Sequence, residues 1–170
     1  SLSYVEIDTG PEQPTSVQVS EDGKNLYLAS EVDNRLYVYS RDVVTGALSL
    51  LQVLEDDTGG VNGLAAPTSV AVSSDGDAVY VTAYADSGVS TFQRNTSTGV
   101  LSYLDFLSIP YFDEAAVLVS KDNANVYVGT DEALYTYSRD TATGLLTIEG
   151  TTVAVASYLA QSPTGNQIYS

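Results

Sequence analysis

The densest oxygen-donor chemistry in the chain is the run Glu55-Asp56-Asp57, followed by Thr58-Gly59-Gly60 and Asn62. Hard cations such as calcium take about six to eight oxygen ligands from carboxylates and carbonyls. A carboxylate-rich connection that can wrap an ion is therefore the candidate metal site, with calcium as the expected cation and no other cofactor expected. The run lacks the spaced Asp-x-Asp-x-Asp-Gly pattern of a calcium loop, and Asp75-Gly76-Asp77 reads as a turn. Asn95-Thr96-Ser97 satisfies the N-glycosylation triplet in an exposed turn, which makes Asn95 a candidate modification site. Two Arg-Asp pairs, Arg41-Asp42 and Arg139-Asp140, stand at matching places before a Thr-Gly step, and Arg94-Asn95 replaces them at a third. They read either as anion-binding guanidiniums or as arginines lying over neighbouring strands with Asp bonding turn amides. The replacement of Asp by Asn favours the second reading, because both side chains can bond their own turn.

Other chemistries are excluded by residue type. The chain has 170 residues and no His or Cys, so a Ser-His-Asp triad, disulfides and thiolate metal sites are all out of reach. Zinc would have to be held by carboxylates alone, which is uncommon. Acidic residues number 22 against 6 basic ones, a formal net charge of -16, and such a surface repels nucleic acid and anionic membranes. No apolar run approaches the roughly 18 residues of a membrane span, so membrane insertion is not expected. Of the 13 tyrosines, Tyr27, Tyr80, Tyr127 and Tyr169 share one repeat position and read as packing residues. Tyr84, Tyr111 and Phe112 fall outside the repeat and are better candidates for a binding surface.

The repeat is what positions all of these. Aligning on Ser-x-x-Gly-x-x-x-Tyr superposes Ser20 to Tyr27, Ser73 to Tyr80, Ser120 to Tyr127 and Ser162 to Tyr169, so that successive tyrosines lie 53, 47 and 42 residues apart. A second landmark keeps the same phase: Tyr39-Ser-Arg-Asp-Val-Val-Thr-Gly46, Phe92-Gln-Arg-Asn-Thr-Ser-Thr-Gly99 and Tyr137-Ser-Arg-Asp-Thr-Ala-Thr-Gly144. Each repeat divides into four short apolar segments separated by turn residues, with Asp-Gly supplying positive φ at the first turn and Asn123 standing in for Gly in the third repeat. Four antiparallel strands per repeat of this length is a β-propeller blade. The expected fold is all-β, with about three and a half blades forming a single partial domain. Residues 1–10 supply the last strand of a preceding blade, 14–58, 67–109 and 115–155 three whole blades, and 157–170 the first two strands of another. An open ring would expose apolar sheet faces. Remaining blades in further chain, or a second copy, are therefore expected to complete it, most naturally as a seven-bladed disc.

The pattern Pro-Thr-Ser-Val-x-Val-Ser-x-Asp-Gly, then Tyr, Arg and Thr-Gly-x-Leu, resembles the lactonase-like, or YVTN-type, seven-bladed propellers, which include 6-phosphogluconolactonases and many bacterial secreted or surface proteins. The resemblance spans nearly the whole chain, yet its motifs are turn and core residues. It implies a site at one end of the central channel built with His, Glu and Arg. With no His to match and the arginines at a repeated position, no catalytic residue carries over. The expected function is accordingly a non-catalytic extracellular or cell-surface module that binds a protein or carbohydrate ligand or acts as a scaffold. The alternatives are a fragment of a lactonase-type hydrolase with catalytic residues elsewhere, and a self-assembling structural component.

Overall fold

The structure, a computed structural model, describes residues 10–110, 115–165 and 167–170. The segment read as the last strand of a preceding blade, and Tyr111 and Phe112, lie outside these apart from Gly10. Three four-stranded antiparallel sheets follow one another along the chain. Blade A has β1 (Pro14–Val19), β2 (Asn25–Ser30), β3 (Arg35–Arg41) and β4 (Leu48–Glu55). Blade B has β5 (Pro67–Val72), β6 (Ala78–Ala83), β7 (Gly88–Arg94) and β8 (Leu101–Ser108). Blade C has β9 (Ala116–Val119), β10 (Asn125–Gly129), β11 (Ala133–Arg139) and β12 (Leu146–Val153), and a hairpin of β13 (Ala160–Gln161) and β14 (Ile168–Tyr169) opens a fourth blade. In each full blade the strands lie in sequence order, joined by hairpins. The architecture is all-β, a partial propeller of about three and a half blades. Among the described residues no helix is long and apolar enough to cross a membrane.

Each blade is shaped by two turns. The first is the Ser-x-Asp-Gly turn, where Asp22 Oδ1 accepts from Ser20 Oγ at 2.6 Å and from the Lys24 amide at 3.1 Å. Asp75 and Asp122 repeat both bonds. Asn123 adopts a φ of 61°, the left-handed conformation that Gly23 and Gly76 take in the other blades. The second is the Thr-Gly turn, where Asp42, Asn95 and Asp140 each accept two backbone amides through one oxygen. This is the turn role that the Asp-to-Asn exchange indicates. Gly99 (φ 82°) lets this turn settle on the preceding blade, and a Cβ there would stand 2.0 Å from the Asn25 amide nitrogen.

Packing takes place between blades. One face of blade A, with Tyr27, Leu36 and Val38, meets Val70, Val79, Val81, Phe92 and Leu101 of blade B. The next junction repeats the arrangement, with Tyr80 and Val89 against Val117, Val126, Val128, Tyr137 and Leu146. At the rim of each junction an arginine ending the third strand reaches back to the previous blade. Arg94 Nη2 lies 3.0 Å from Asp22 Oδ2, and Arg139 lies 2.8 Å from Asp75 Oδ2 through Nη1 and 3.2 Å from Oδ1 through Nη2. The two arginine side chains are 1% and 0% exposed. Arg139 Nε also donates to the Tyr80 hydroxyl at 2.9 Å, which in turn donates to Gly144 O at 2.7 Å. At the first junction Arg94 Nη2 donates to Asn25 Oδ1 as well, at 2.7 Å, a bond that Ala78 cannot offer to Arg139. There, among the described residues, the buried Tyr27 hydroxyl and Arg94 Nε lack a well-aligned hydrogen bond.

These contacts set the pH response. Burial pushes the Asp22 carboxyl up, but hydrogen bonds from Ser20, Arg94 and the Lys24 amide, with the charge of Arg94, outweigh it and hold the pKa at about 2 against an ordinary 3.8. A depressed folded pKa stabilises the fold above the unfolded value, and the contribution is lost as pH falls from about 4 through 2. Burial pushes Tyr80 up to about 12, so its contribution is complete below pH 10 and disappears as pH rises toward 12.

Two outcomes follow in urea denaturation. Arg139→Ala, which strips a buried cation from its partners, is expected to cost about 3 kcal/mol. Between pH 4 and 2 the stability difference between the native chain and Asp22→Asn is expected to shrink, and a constant difference would show that Asp22 does not carry this limb.

Candidate functional site

The first strand of each blade is innermost, β1 lying against β5 and β5 against β9, so their starts line one end of the channel. In blades A and B that start is Pro-Thr-Ser. Thr15 and Thr68 are each the extra residue where the register of the first pair of strands shifts. Such bulges re-aim a side chain. Thr15 Oγ1 donates to Pro67 O at 2.7 Å, and Thr68 Oγ1 to Ala115 O at 3.0 Å. Ser16 Oγ accepts from the Val70 amide and Ser69 Oγ from the Val117 amide, at 3.1 and 3.3 Å. The hydroxyls therefore stitch each inner strand to the next.

The stitching stops at blade C. Ala115 and Ala116 hold the positions of the Thr-Ser pair. In the following repeat the same positions are Ser157 and Tyr158. A cleft of about 630 Å³ lies along these strand starts, where Thr15, Ser16, Thr68, Ser69, Ala115 and Ala116 form its lining together with the polar side chains of Glu31, Tyr84, Ser157 and Tyr158. Tyr84 and Tyr158 are 47% and 80% exposed. Glu31 and Tyr84 occupy one repeat position, immediately after the second strand. Among the described residues the cleft thus offers one carboxylate, hydroxyls and two aromatic faces, a set suited to an uncharged, hydroxyl-rich ligand of modest size. Tyr84, singled out in the sequence, lies in it. Glu31 and Tyr158 had no such signal, although aligning Tyr158 with Ser16, Ser69 and Ala116 exposes the break.

The remaining candidates are elsewhere. Glu55 pairs with Arg35 at 3.0 Å across β3 and β4, and Asp56 Oδ1 accepts the Leu64 amide at 2.9 Å. Asp57 takes a φ of 54°. Their neighbour Asp86 is pushed above the ordinary carboxyl value, chiefly by burial and further by the charges of Asp56 and Asp57. Among the described residues no three carboxylates converge as metal ligands. Asn95 is exposed, with its Oδ1 engaged in the turn.

A partial ring of four-stranded blades around a channel cleft defines the protein as a β-propeller. The family model of the lactonase, 7-bladed beta-propeller proteins matches residues 8–160, and the chain belongs to that family. No curated protein matches it. Among solved structures, a candidate 6-phosphogluconolactonase from Bacteroides uniformis superposes with a TM-score of 0.75 at 22% identity, over 91% of this chain and 44% of that one. The periplasmic gluconolactonase of Pseudomonas aeruginosa gives 0.73 at 23% identity, over 85% and 40%. Kuenenia stuttgartiensis hydrazine synthase gives 0.68 at 16% identity, over 99% and 44%. The chain spans about two fifths of the length of these proteins, and at such identities the likeness is one of fold.

The two kinds of polar residue separate by stability. Thr68→Val is expected to cost about 1 kcal/mol in urea denaturation, by breaking a half-buried stitch, and Glu31→Gln less than about 0.5 kcal/mol.

Proposed function

We propose that this chain is part of a lactonase-type hydrolase and supplies one wall of its sugar-lactone site. The observation that supports the reading most is the family match over residues 8–160. It weighs toward the hydrolase alternative and against the non-catalytic scaffold that the sequence alone favours. Hydrolysis of a lactone needs water to attack the carbonyl carbon, donors for the negative charge on the carbonyl oxygen, and a proton for the ring oxygen that leaves. The product is a hydroxy acid. In this reading the cleft binds and orients the polyol, and the groups that move protons belong to the rest of the ring. Glu31 accepts hydrogen bonds from sugar hydroxyls, Ser157 donates to them, and the faces of Tyr84 and Tyr158 pack on the ring C–H groups.

Such a role loads the effect of substitution onto binding. In the complete propeller, Glu31→Gln is expected to raise KM for a glucono-lactone about tenfold or more with little change in kcat, as expected for a lost hydrogen bond to a charged group. Absence of lactone hydrolysis by the complete protein would overturn the reading, and unchanged kinetics in the variant would remove Glu31 from the site.

A further inference from the structure

The end of the ring that holds the cleft carries a marked excess of negative charge. Strand pairing sets Pro14 opposite Ser30, Ser30 opposite Arg35 and Arg35 opposite Glu55, so the starts of β1 and β3 and the ends of β2 and β4 share that end. Glu31 and Asp33 follow β2, Asp86 follows β6, Asp131 and Glu132 follow β10, and Glu55 ends β4 with Asp56 and Asp57 beyond it. Asp131 is exposed and holds the repeat position of Glu31 and Tyr84, which line the cleft. The basic residues are distributed the other way. All 6 lie among the described residues, and Lys24, Arg41, Arg94, Lys121 and Arg139 stand at the opposite end, in the first turns or where the third strands finish. Arg35 is left at the cleft end, with its charge met by Glu55 at 3.0 Å. The Asp86 carboxyl registers the excess: burial pushes it up first, and the charges of Asp56 and Asp57 push it further.

Lactone hydrolysis changes the charge of whatever occupies the cleft. Water adds to the carbonyl carbon, the acyl–oxygen bond of the ring breaks, and the ring oxygen takes a proton. The hydroxy acid so formed releases a proton to solvent at neutral pH and leaves as a carboxylate anion. Substrate and product therefore differ by one negative charge, and a field of like sign leaves the first alone while disfavouring the second. We propose that the carboxylates around the cleft act as an electrostatic exit, which admits an uncharged sugar lactone and drives out the sugar-acid anion made from it. This role rests on the lactonase reading of the cleft. The same field disfavours a phosphorylated lactone, which is anionic before it reacts.

The test is inhibition of the complete propeller by sodium gluconate at two ionic strengths. Screening shortens the reach of the rim charges from about 30 Å at about 10 mM salt to about 8 Å at about 150 mM. Gluconate is expected to inhibit about threefold or more tightly at the higher salt, whereas inhibition by sorbitol, an uncharged polyol, changes by less than about 1.5-fold. At the lower salt Asp131→Lys is expected to lower the gluconate inhibition constant about threefold or more with kcat unchanged, and Asp131→Asn to lower it less, in the same direction. Glu21→Lys makes the same change of net charge at an exposed site of the opposite end, and is expected to move the constant by less than about 1.5-fold. Hydrolysis with a gluconate constant that does not change with salt, or with equal effects of Asp131→Lys and Glu21→Lys, overturns this role alone. Absence of hydrolysis overturns the lactonase reading and this role with it.

Discussion

The structure depends on an arginine that one blade lends to another. A guanidinium with 0% or 1% exposure needs its charge paired and most of its donors met, and neither Arg94 nor Arg139 finds both within its own blade. The carbonyl at residue 23, 76 or 123 comes from the arginine's own first turn. The carboxylate comes from the turn of the blade before. The Ser-x-Asp-Gly turn is built to present that carboxylate: the serine hydroxyl and the amide two residues on hold one oxygen of Asp22, and Arg94 reaches both. The positive φ at the following Gly or Asn lets the chain turn back beneath the pair. What reads as one repeat is therefore two half-sites that face opposite ways, and it is satisfied only in a row of blades.

This explains which features were legible in the sequence. The blade was, since its turns are local: Asp-Gly, the Asn123 substitution and the Thr-Gly step each act within a few residues. The arginine's role was only half legible. Its neighbour in sequence, Asp42 or Asp140, invites a pairing, but that carboxylate is occupied by backbone amides of its own turn. The true partners lie 72 and 64 residues away, one full period and part of the next. A repeat alignment shows that Asp and Arg recur together and cannot by itself say that each Arg belongs to the previous Asp. Glu31 was hidden for another reason: its counterpart is Tyr84, so nothing recurs at that position.

The charge balance sharpens the point. With 6 basic residues in the chain, the use of each is informative. Arg94 and Arg139 are committed to junctions, Arg35 spans β3 and β4 to Glu55, and Lys121 bonds Pro163 O in the fourth blade. Four of the six cations are thus spent on blade geometry, while carboxylates are abundant enough to leave Glu31 at the cleft. A channel end with a carboxylate and hydroxyls, and no described basic residue in its lining, is suited to a neutral polyol before an anion.

The same reasoning separates scaffold from site. Threonine and serine at the start of the inner strand are polar residues facing the channel, the place where a ligand would be sought, yet in blades A and B every one of those hydroxyls holds the adjacent strand. Their chemistry is consumed by the ring. Ala115 and Ala116 offer no such hydroxyl, and Ser157 and Tyr158, at the same positions in the following repeat, line the cleft with side chains that make no stitch among the described residues. In a repeat protein a polar residue that recurs is answering its neighbour, and the position where the recurrence fails is where a ligand can be answered instead.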